Sequence, residues 1–257
     1  MPEIHPTAIV DKKAELADDV IVGPFSIIES NVRIGKGAQI HSHVLVASGA
    51  RIGENCIIHH GAAVSTLPQD LKFSGEESTL EIGNNTVVRE FCSLNRGTKD
   101  REKTKIGNDC FLMAYVHAAH DCWIGDKVIL ANGVQLGGHV TIEDWVNIGG
   151  MTPVHQFCNV GKHSFIGGGF RIVQDVPPFI LAGSEPLTFR GLNIIGLKRR
   201  GFEKPVLMAL RKCYRYIYQS KMNIGQALEK IKDEIEMIPE VQDVVQFIEN
   251  SSRGIIR

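Results

Sequence analysis

Aliphatic residues recur at every sixth position over most of the chain, which is 257 residues long. The series has three runs, which comprise Val10, Leu16, Val22, Ile28, Ile34, Ile40, Val46, Ile52, Ile58 and Val64, then Ile82, Val88 and Leu94, then Ile106, Leu112, Ala118, Ile124, Leu130, Leu136, Ile142, Ile148, Val154, Val160, Ile166 and Ile172. Glycine follows many of them, as at Gly23 and Gly35. Neither the helical nor the strand period produces this pattern. A six-residue repeat is typical of a parallel β-helix, so the sequence predicts an all-β fold of that class here.

Three repeats close one triangular coil whose aliphatic side chains point inward, and neighbouring coils stack about 4.8 Å apart. Ile52 and Ile82 are 30 residues apart, and Ile82 and Ile106 are 24 apart, so these coils hold about 12 and 6 residues more than three repeats. The extra residues fall near Ser65–Ser78 and Gly97–Lys103. Such insertions are either plain surface loops or part of a binding face, and we favour the second interpretation.

The repeat stops after Ile172, and Val176-Pro177-Pro178 follows. Beyond this point apolar residues recur at spacings of three and four, which predicts helices. The helical stretches are 206–218, which has Pro205 near its start, 224–235, which follows Asn223 as N-cap, and 241–248, which follows Pro239. We therefore predict two domains, a β-helix over residues 1–185 and an α-helical domain over residues 186–257.

Composition narrows the function only slightly. The net charge is −1, with 43% apolar and 22% charged residues, and this balance gives no reason to expect nucleic acid as a partner. No apolar run could span a bilayer, and the first residues lack the features of a signal peptide. The six cysteines are scattered singly, so we expect buried thiols in a reducing, cytoplasmic protein.

Candidate catalytic residues are concentrated in the segment from His117 to Cys122, where His120 could act as a base and Asp121 as the carboxylate that orients it. The repeat places His139 and His155 at the same turn of the next two coils, outside the aliphatic core. Three interpretations stay open for these histidines. They form a general-base site, or a zinc site like that of carbonic anhydrases built on this fold, or they are merely solvated turn residues of a non-catalytic scaffold.

Glycines and basic residues add two further candidates. Gly138 directly precedes His139, and an unobstructed N–H there could stabilise an oxyanion, unless it is an ordinary turn glycine. Gly150 and Gly168 are one coil apart, which predicts either an open groove for an alkyl chain or close packing between coils or subunits. Nine basic residues and one acidic residue lie between positions 190 and 221, a patch suited to phosphates or an acidic protein, or simply a solvated face.

The whole chain closely resembles the acyl-carrier-protein-dependent UDP-N-acetylglucosamine O-acyltransferases, which begin lipid A synthesis in Gram-negative bacteria. The resemblance is most specific at two segments, His155-Gln156-Phe157-Cys158 and Leu197-Lys198-Arg199-Arg200-Gly201-Phe202. The other matching segments are His5–Val10, Gln69–Lys72, Arg96–Thr98, His117–Cys122, Gly138–Val140, Ile148–Thr152 and Gln174–Pro178.

This resemblance implies a homotrimer of left-handed β-helices with active sites between subunits, an exception to the usual right-handed crossover. It implies that His120 is the general base that takes the proton from the sugar 3-hydroxyl, that Asp121 orients it, and that Gly138 supplies the oxyanion-hole N–H. It implies no metal and no cofactor beyond the phosphopantetheine that carries the acyl chain on acyl carrier protein. No cysteine or serine stands out as a covalent nucleophile, which favours direct transfer.

The resemblance also implies which residues bind the substrates. Those expected to contact the acyl donor are His139, Asp70 and Lys72. Those expected to shape the sugar-nucleotide site are His117, His155, Gln156 and Gln69. Those expected to contact the nucleotide and its phosphates are Asn193, Arg199 and Arg200. Gly168 matches the position that limits acyl length, and a glycine there favours a long chain.

The sequence departs from the family pattern at two places. Asn95 stands where a histidine is expected before Arg96-Gly97-Thr98, and Ile195 stands where some members carry a glutamate near the uracil site. Both lie on the acceptor side, and some relatives acylate a sugar nucleotide with a 3-amino group. The sequence therefore leaves open whether the product is an ester or an amide. A later N-acyltransferase of the same pathway fits less well, because its family carries a domain before the repeats.

Overall fold

Each six-residue repeat forms a short strand and a turn in the computed structural model, which describes residues 1–257. One residue of each strand points outward and the next points inward. On the strand Ile27–Ile28, for example, Ile27 is 42% exposed and Ile28 is 1% exposed. The six-residue period therefore arises because one inward position occurs per strand, and the predicted parallel β-helix is confirmed.

The strands form three parallel faces, and strands that are neighbours on a face are three apart in the chain. Face A comprises β1 (Glu3–Ile4), β4 (Ile21–Val22), β7 (Gln39–Ile40), β10 (Ile57–Ile58), β13 (Val87–Val88), β16 (Phe111–Leu112), β19 (Ile129–Leu130), β22 (Asn147–Ile148) and β25 (Phe165–Ile166). Face B comprises β2 (Ile9–Val10), β5 (Ile27–Ile28), β8 (Leu45–Val46), β11 (Ala63–Thr66), β14 (Ser93–Asn95), β17 (His117–Ala118), β20 (Gln135–Leu136) and β23 (Pro153–Val154). Face C comprises β3 (Glu15–Leu16), β6 (Arg33–Ile34), β9 (Ala50–Ile52), β12 (Thr79–Ile82), β15 (Lys103–Ile106), β18 (Trp123–Ile124), β21 (Thr141–Ile142) and β24 (Asn159–Val160).

The three corners of the prism are tight two-residue turns, which we name corner AB, corner BC and corner CA after the faces they join. The second turn residue commonly adopts positive φ even when it is not glycine, as at His43 with φ 57° and His139 with φ 62°. Both insertions lie at corner BC, where they occupy residues 67–78 and 96–102. The predicted insertions are confirmed, and the corner they share is the one that also carries His120.

We expect the inward and outward isoleucines of one strand to differ sharply in their contribution to stability. Ile28→Ala should lower the free energy of unfolding by about 2–5 kcal/mol, because it removes buried methylenes and leaves a cavity. Ile27→Ala, the matched control on the same strand, should cost about 1 kcal/mol or less. Urea-induced unfolding of both variants measures the difference, and equal losses would contradict the inward and outward assignment.

The chain leaves the coils through a hairpin that extends face A. Strand β26 (Ile180–Gly183) pairs parallel with β25, and β27 (Thr188–Leu192) pairs antiparallel with β26. This hairpin was not predicted, and the expected domain boundary at 185/186 lies in its turn, so that boundary stays a prediction. The chain end returns to the exit of the coils, because the Ile256 N–H donates to the Asp175 carbonyl at 3.0 Å.

The helices of the tail are α1 (Ile194–Arg199), α2 (Lys204–Gln219), α3 (Ile224–Glu234) and α4 (Pro239–Glu249). The three predicted helices correspond to the last three and are confirmed, including Asn223, which forms a capping box with Gln226. Helix α1 was not predicted. None of the four is long and apolar enough to cross a membrane. All six cysteines are buried and unpaired, as expected.

Candidate active site

Corner BC brings His120 and Gly138 together. The turns of three successive coils are His120-Asp121, Gly138-His139 and Gln156-Phe157, so Gly138 lies in the coil after His120 and Gln156 in the next. The histidines do not occupy one equivalent position. His155 precedes its turn and is exposed, and Phe157 takes the corner position that stacks on His139 with ring centroids 4.5 Å apart.

Asp121 is fully buried and connects His120 to the second insertion. Its Oδ2 lies 2.8 Å from Nδ1 of His120 and accepts the Thr98 hydroxyl at 2.7 Å, while its Oδ1 accepts the Thr98 N–H at 2.9 Å. Arg101 donates to the Asp121 backbone carbonyl at 2.9 Å. The insertion at 96–102 therefore fixes the carboxylate that orients the imidazole. No role was predicted for Thr98, since 23 residues separate it from Asp121 in the chain.

Electrostatics hold Asp121 as an anion and make the His120 imidazole more basic. Burial favours the neutral Asp121 carboxyl, but hydrogen bonds from His120 and Thr98 outweigh it and hold its pKa at about 2. The hydrogen bond to Asp121 in turn raises the pKa of His120 above 6.5, against the opposing effect of burial. The Asp70 and Asp100 carboxylates raise the His120 pKa further. Asp121 is thus an anion that accepts from Nδ1–H of His120, and Nε2 has no protein partner.

His139 stands edge-on to His120, with ring centroids 5.2 Å apart. Its Nε2 lies 3.7 Å from both Asp121 Oδ2 and Asp100 Oδ2, and burial lowers its pKa. Donor atoms of His120, Asp121 and His139 lie within 4.8 Å of one another, which is close enough for the zinc alternative. The nearest carboxylate oxygen, however, is already held by Thr98 and His120.

Gly138 has a backbone N–H without a hydrogen-bond acceptor in the protein, which is one requirement of the oxyanion-hole role predicted for it. Its N–H donates no hydrogen bond within the protein, whereas the next residue, His139, donates to the His120 carbonyl at 3.1 Å. A Cβ at position 138 would lie 2.8 Å from Nε2 of His120 and 2.7 Å from Cε1. Glycine is therefore needed here for the imidazole to occupy its observed position beside a free backbone donor.

The first insertion brings Asp70 toward His120, as its effect on the His120 pKa shows. Gln69 and Lys72 are exposed on the same loop, and Asp70 Oδ1 accepts the Lys72 N–H at 2.9 Å. Asn95 is buried at the base of this loop, where its amide donates to the Leu67 carbonyl at 3.0 Å. Asn95, one of the two departures from the family pattern, thus anchors this loop.

His117 and His155 lie on face B next to corner BC. His117 Nδ1 is 2.8 Å from the Ser93 hydroxyl, and burial lowers its pKa. His155 Nδ1 approaches the Gln156 carbonyl at 3.0 Å, and both residues are exposed. These residues lie beside the His120 corner, and their role in the sugar-nucleotide site stays a prediction.

Asn193, Arg199 and Arg200 lie at corner CA, which is a different edge of the prism. Asn193 is the N-cap of α1 and Arg200 its C-cap, while Arg199 is exposed. Arg200 Nη1 lies 3.1 Å from Nδ1 of His163, and its guanidinium lies 4.9 Å from the ring centroid of Trp145. Burial lowers the Arg200 pKa. The sequence assigned no role to His163.

Gly168 lies at corner AB and stacks directly on Gly150. A Cβ at Gly168 would lie 2.9 Å from the Gly150 carbonyl oxygen, so close packing between coils is sufficient reason for this glycine. Gly168 is nevertheless exposed, and its role in acyl length stays a prediction. The residues to which the resemblance assigns substrate contacts therefore lie at three different corners. Within one chain they do not meet in a single site.

Comparisons with known proteins agree over the whole chain. A family model described as UDP N-acetylglucosamine O-acyltransferase, domain 2, matches residues 175–256, and a bacterial transferase hexapeptide model matches 31–66 and 103–138. A UDP-N-acetylglucosamine acyltransferase structure from Bacteroides fragilis aligns with a TM-score of 0.97 at 43% identity, covering 99% of this chain and 100% of that one. One from Acinetobacter baumannii gives 0.96 at 46%, covering 99% of each chain. The coils accordingly form a left-handed parallel β-helix with a C-terminal helical region.

Curated relatives give the same result. The acyl-[acyl-carrier-protein]–UDP-N-acetylglucosamine O-acyltransferase of Syntrophobacter fumaroxidans is 45% identical over 99% of this chain and 100% of its own length. That of Sulfurihydrogenibium sp. is 53% identical over 99% of this chain and 94% of its own. With such identity over nearly the full length, this chain belongs to the acyl-[acyl-carrier-protein]–UDP-N-acetylglucosamine O-acyltransferase family of acyltransferases.

Proposed function

We propose that this protein transfers a 3-hydroxyacyl chain from acyl carrier protein to the 3-hydroxyl of UDP-N-acetylglucosamine, the first step of lipid A biosynthesis. Family membership supports the donor and acceptor classes. The observation that carries the mechanism is a series of hydrogen bonds from Thr98 through Asp121 to His120. Nε2 of His120 has no partner in the protein, and the next coil carries Gly138, whose N–H is also free. The proposed base and the proposed oxyanion donor are therefore neighbours in adjacent coils.

The reaction needs only these groups and an activated donor. His120 Nε2 takes the proton of the sugar hydroxyl as its oxygen attacks the thioester carbonyl. The Gly138 N–H stabilises the tetrahedral oxyanion. The oxyanion collapses, the carbon–sulfur bond breaks, and the leaving thiolate takes the proton from His120. Asp121 holds the imidazolium throughout, because its carboxylate is buried and fixed by Thr98. The proposed chemistry uses no metal or resident cofactor.

Three corners of one chain carry the proposed substrate contacts, which supports an assembly in which neighbouring copies complete each site. His120, Gly138 and His139 would come from one copy, and Arg200 or Gly168 would come from another. The homotrimer implied by the family resemblance has this property, and we propose it for this protein. Co-refolding His120→Ala chains with Arg200→Ala chains should give more activity than either variant gives alone, because a shared site can then combine His120 of one chain with Arg200 of another.

An acyl-transfer assay tests the proposal directly. Purified protein, UDP-N-acetylglucosamine and 3-hydroxyacyl carrier proteins of several lengths should yield the acylated sugar nucleotide, also with a chelator present. The series of donors reports the chain length that the Gly168 corner accepts. Transfer only to a 3-amino sugar nucleotide would replace the ester by an amide. No transfer to either acceptor, with bound zinc found by metal analysis, would overturn the proposal.

We expect kcat/KM to fall as the pH is lowered, with a midpoint above pH 6.5. Only neutral His120 can accept a proton, and the hydrogen bond to Asp121 raises its pKa above that value. The neutral fraction therefore grows as pH rises through the raised pKa. Asp100→Asn should move this limb to lower pH, because a nearby negative charge is removed. Asp109→Asn, at corner CA, is the matched control and should leave it in place. A pH profile of kcat/KM measures both, and an unshifted limb in Asp100→Asn would contradict the assignment.

A further inference from the structure

Both ends of helix α1 form hydrogen bonds with one residue, His163. At its start, the Asn193 side-chain amide donates to the His163 backbone carbonyl at 2.9 Å. At its end, Arg200 Nη1 lies 3.1 Å from the His163 ring nitrogen Nδ1. The helix has only six residues, too few to be stable by itself. Its position at corner CA therefore depends on these two attachments and on the burial of Leu197.

The ring of His163 is in the right state to accept from a guanidinium. It lies between Trp145 and Phe179, stacked on both with centroids 6.0 and 5.6 Å away, and Phe202 meets its edge at 5.0 Å. Burial, then the positive charge of Arg200, lowers its pKa to about 4. Its imidazole is consequently neutral near pH 7, and Nδ1 can accept the Arg200 N–H.

The Arg200 guanidinium is held in a fixed plane by two different contacts. Nδ1 of His163 accepts a hydrogen bond from one of its N–H groups, and the Cζ atom of Arg200 lies 4.9 Å from the centroid of the Trp145 ring. Arg200 is only partly buried and has no carboxylate partner. A guanidinium has five N–H donors in a rigid fork, so most of them remain available for a phosphate. Holding it in place beforehand reduces the entropy lost when an anion binds.

We propose that His163 is a positioning residue that presents Arg200, at the end of α1, to the diphosphate of the nucleotide acceptor. The inference rests on the proposed function and extends it to a residue that touches neither substrate. It predicts that His163 affects nucleotide binding through Arg200. It predicts no effect of His163 on acyl-donor binding or on the chemical step.

The test compares two substitutions of His163. His163→Leu removes the acceptor, whereas His163→Asn keeps an acceptor oxygen near Nδ1 and tolerates the positive φ of 60°. His163→Leu should raise KM for UDP-N-acetylglucosamine, and Kd for UDP by calorimetry, about tenfold, because a hydrogen bond to a charged group is lost. The turnover number and KM for acyl carrier protein should stay within about twofold, and His163→Asn should recover most of the affinity.

A double-mutant cycle with Arg200→Ala separates positioning from general damage. In that background His163→Leu should weaken UDP binding by less than about twofold, because the group it positions is absent. Trp145→Leu gives a second route, since it removes the ring that contacts both the Arg200 guanidinium and the His163 imidazole; it should also weaken UDP binding. Thermal unfolding of each variant reports folding.

The outcomes distinguish the two proposals. Wild-type protein that binds UDP through Arg200 and His163 without acyl transfer would refute the proposed function and support the positioning role. Wild-type transfer combined with unchanged UDP affinity in folded His163→Leu would refute the positioning role alone. Equal losses with and without Arg200, or an equal rise in donor KM, would also overturn it. If His163→Leu does not fold, the same criteria apply to Trp145→Leu.

Discussion

His120→Ala should lower the turnover number for acyl transfer by about a thousandfold, within the range that a positioned general base contributes. The variant removes the only imidazole whose Nδ1 is held by the buried Asp121 carboxylate. His139 does not replace it, because its Nε2 is 3.7 Å from Asp121 and its pKa is lowered by burial. Steady-state kinetics with a 3-hydroxyacyl carrier protein measures the loss.

Binding should survive this substitution. Calorimetry should give a Kd for UDP within about twofold of wild type, since Arg200 and Asn193 lie at another corner. His5→Ala, which changes an exposed histidine in the first coil, is the matched control and should keep full activity. Added imidazole should restore part of the rate in His120→Ala. A variant that retains more than about a tenth of wild-type turnover would exclude His120 as the base.

Gly138→Ala should reduce the turnover number by about a hundredfold to a thousandfold, with little change in KM. The new Cβ would lie 2.8 Å from Nε2 of His120, so the imidazole must leave its position. The same methyl group would crowd the backbone N–H that is free to donate to the oxyanion. Both effects act on the transition state, which is why KM should change little.

A double mutant separates these two causes. With His120→Ala the clash is absent, so any further loss caused by Gly138→Ala measures the oxyanion donor alone. Gly225→Ala in α3 is the control for replacing a glycine, because its Cβ would meet only the Asn223 side chain, at 3.4 Å. That variant should be fully active and slightly more stable, since alanine favours helix. Normal turnover in a folded Gly138→Ala protein would remove Gly138 from the mechanism.

Local patterns determined much of the fold. The six-residue series required one inward aliphatic side chain per strand, and the structure has this at Ile28 and at the other buried positions of the series. The three longer helices followed from spacing and caps, with Asn223 capping α3 as expected. The hairpin β26–β27 and helix α1 escaped prediction because their positions depend on distant partners, β25 for the hairpin and His163 for the helix.

The repeat likewise determined part of the site. Because coils stack in register, counting along the sequence was enough to place His120, Gly138 and His139 at one corner. It could not show that Thr98 fixes Asp121, since the second insertion lies outside the repeat and its path is set by packing. It also could not give the charge states, because burial and neighbouring carboxylates set the pKa of His120 and Asp121.

The sequence by itself thus determined the coil, its inward residues and the proximity of the catalytic candidates, since these depend on a period of a few residues. Only the tertiary structure decided that Arg200 occupies another corner than His120, and that His163 holds α1. These relations join residues far apart in the chain through side-chain packing and hydrogen bonds. Such contacts leave no periodic trace in the sequence, because each depends on three-dimensional positions that the whole fold sets.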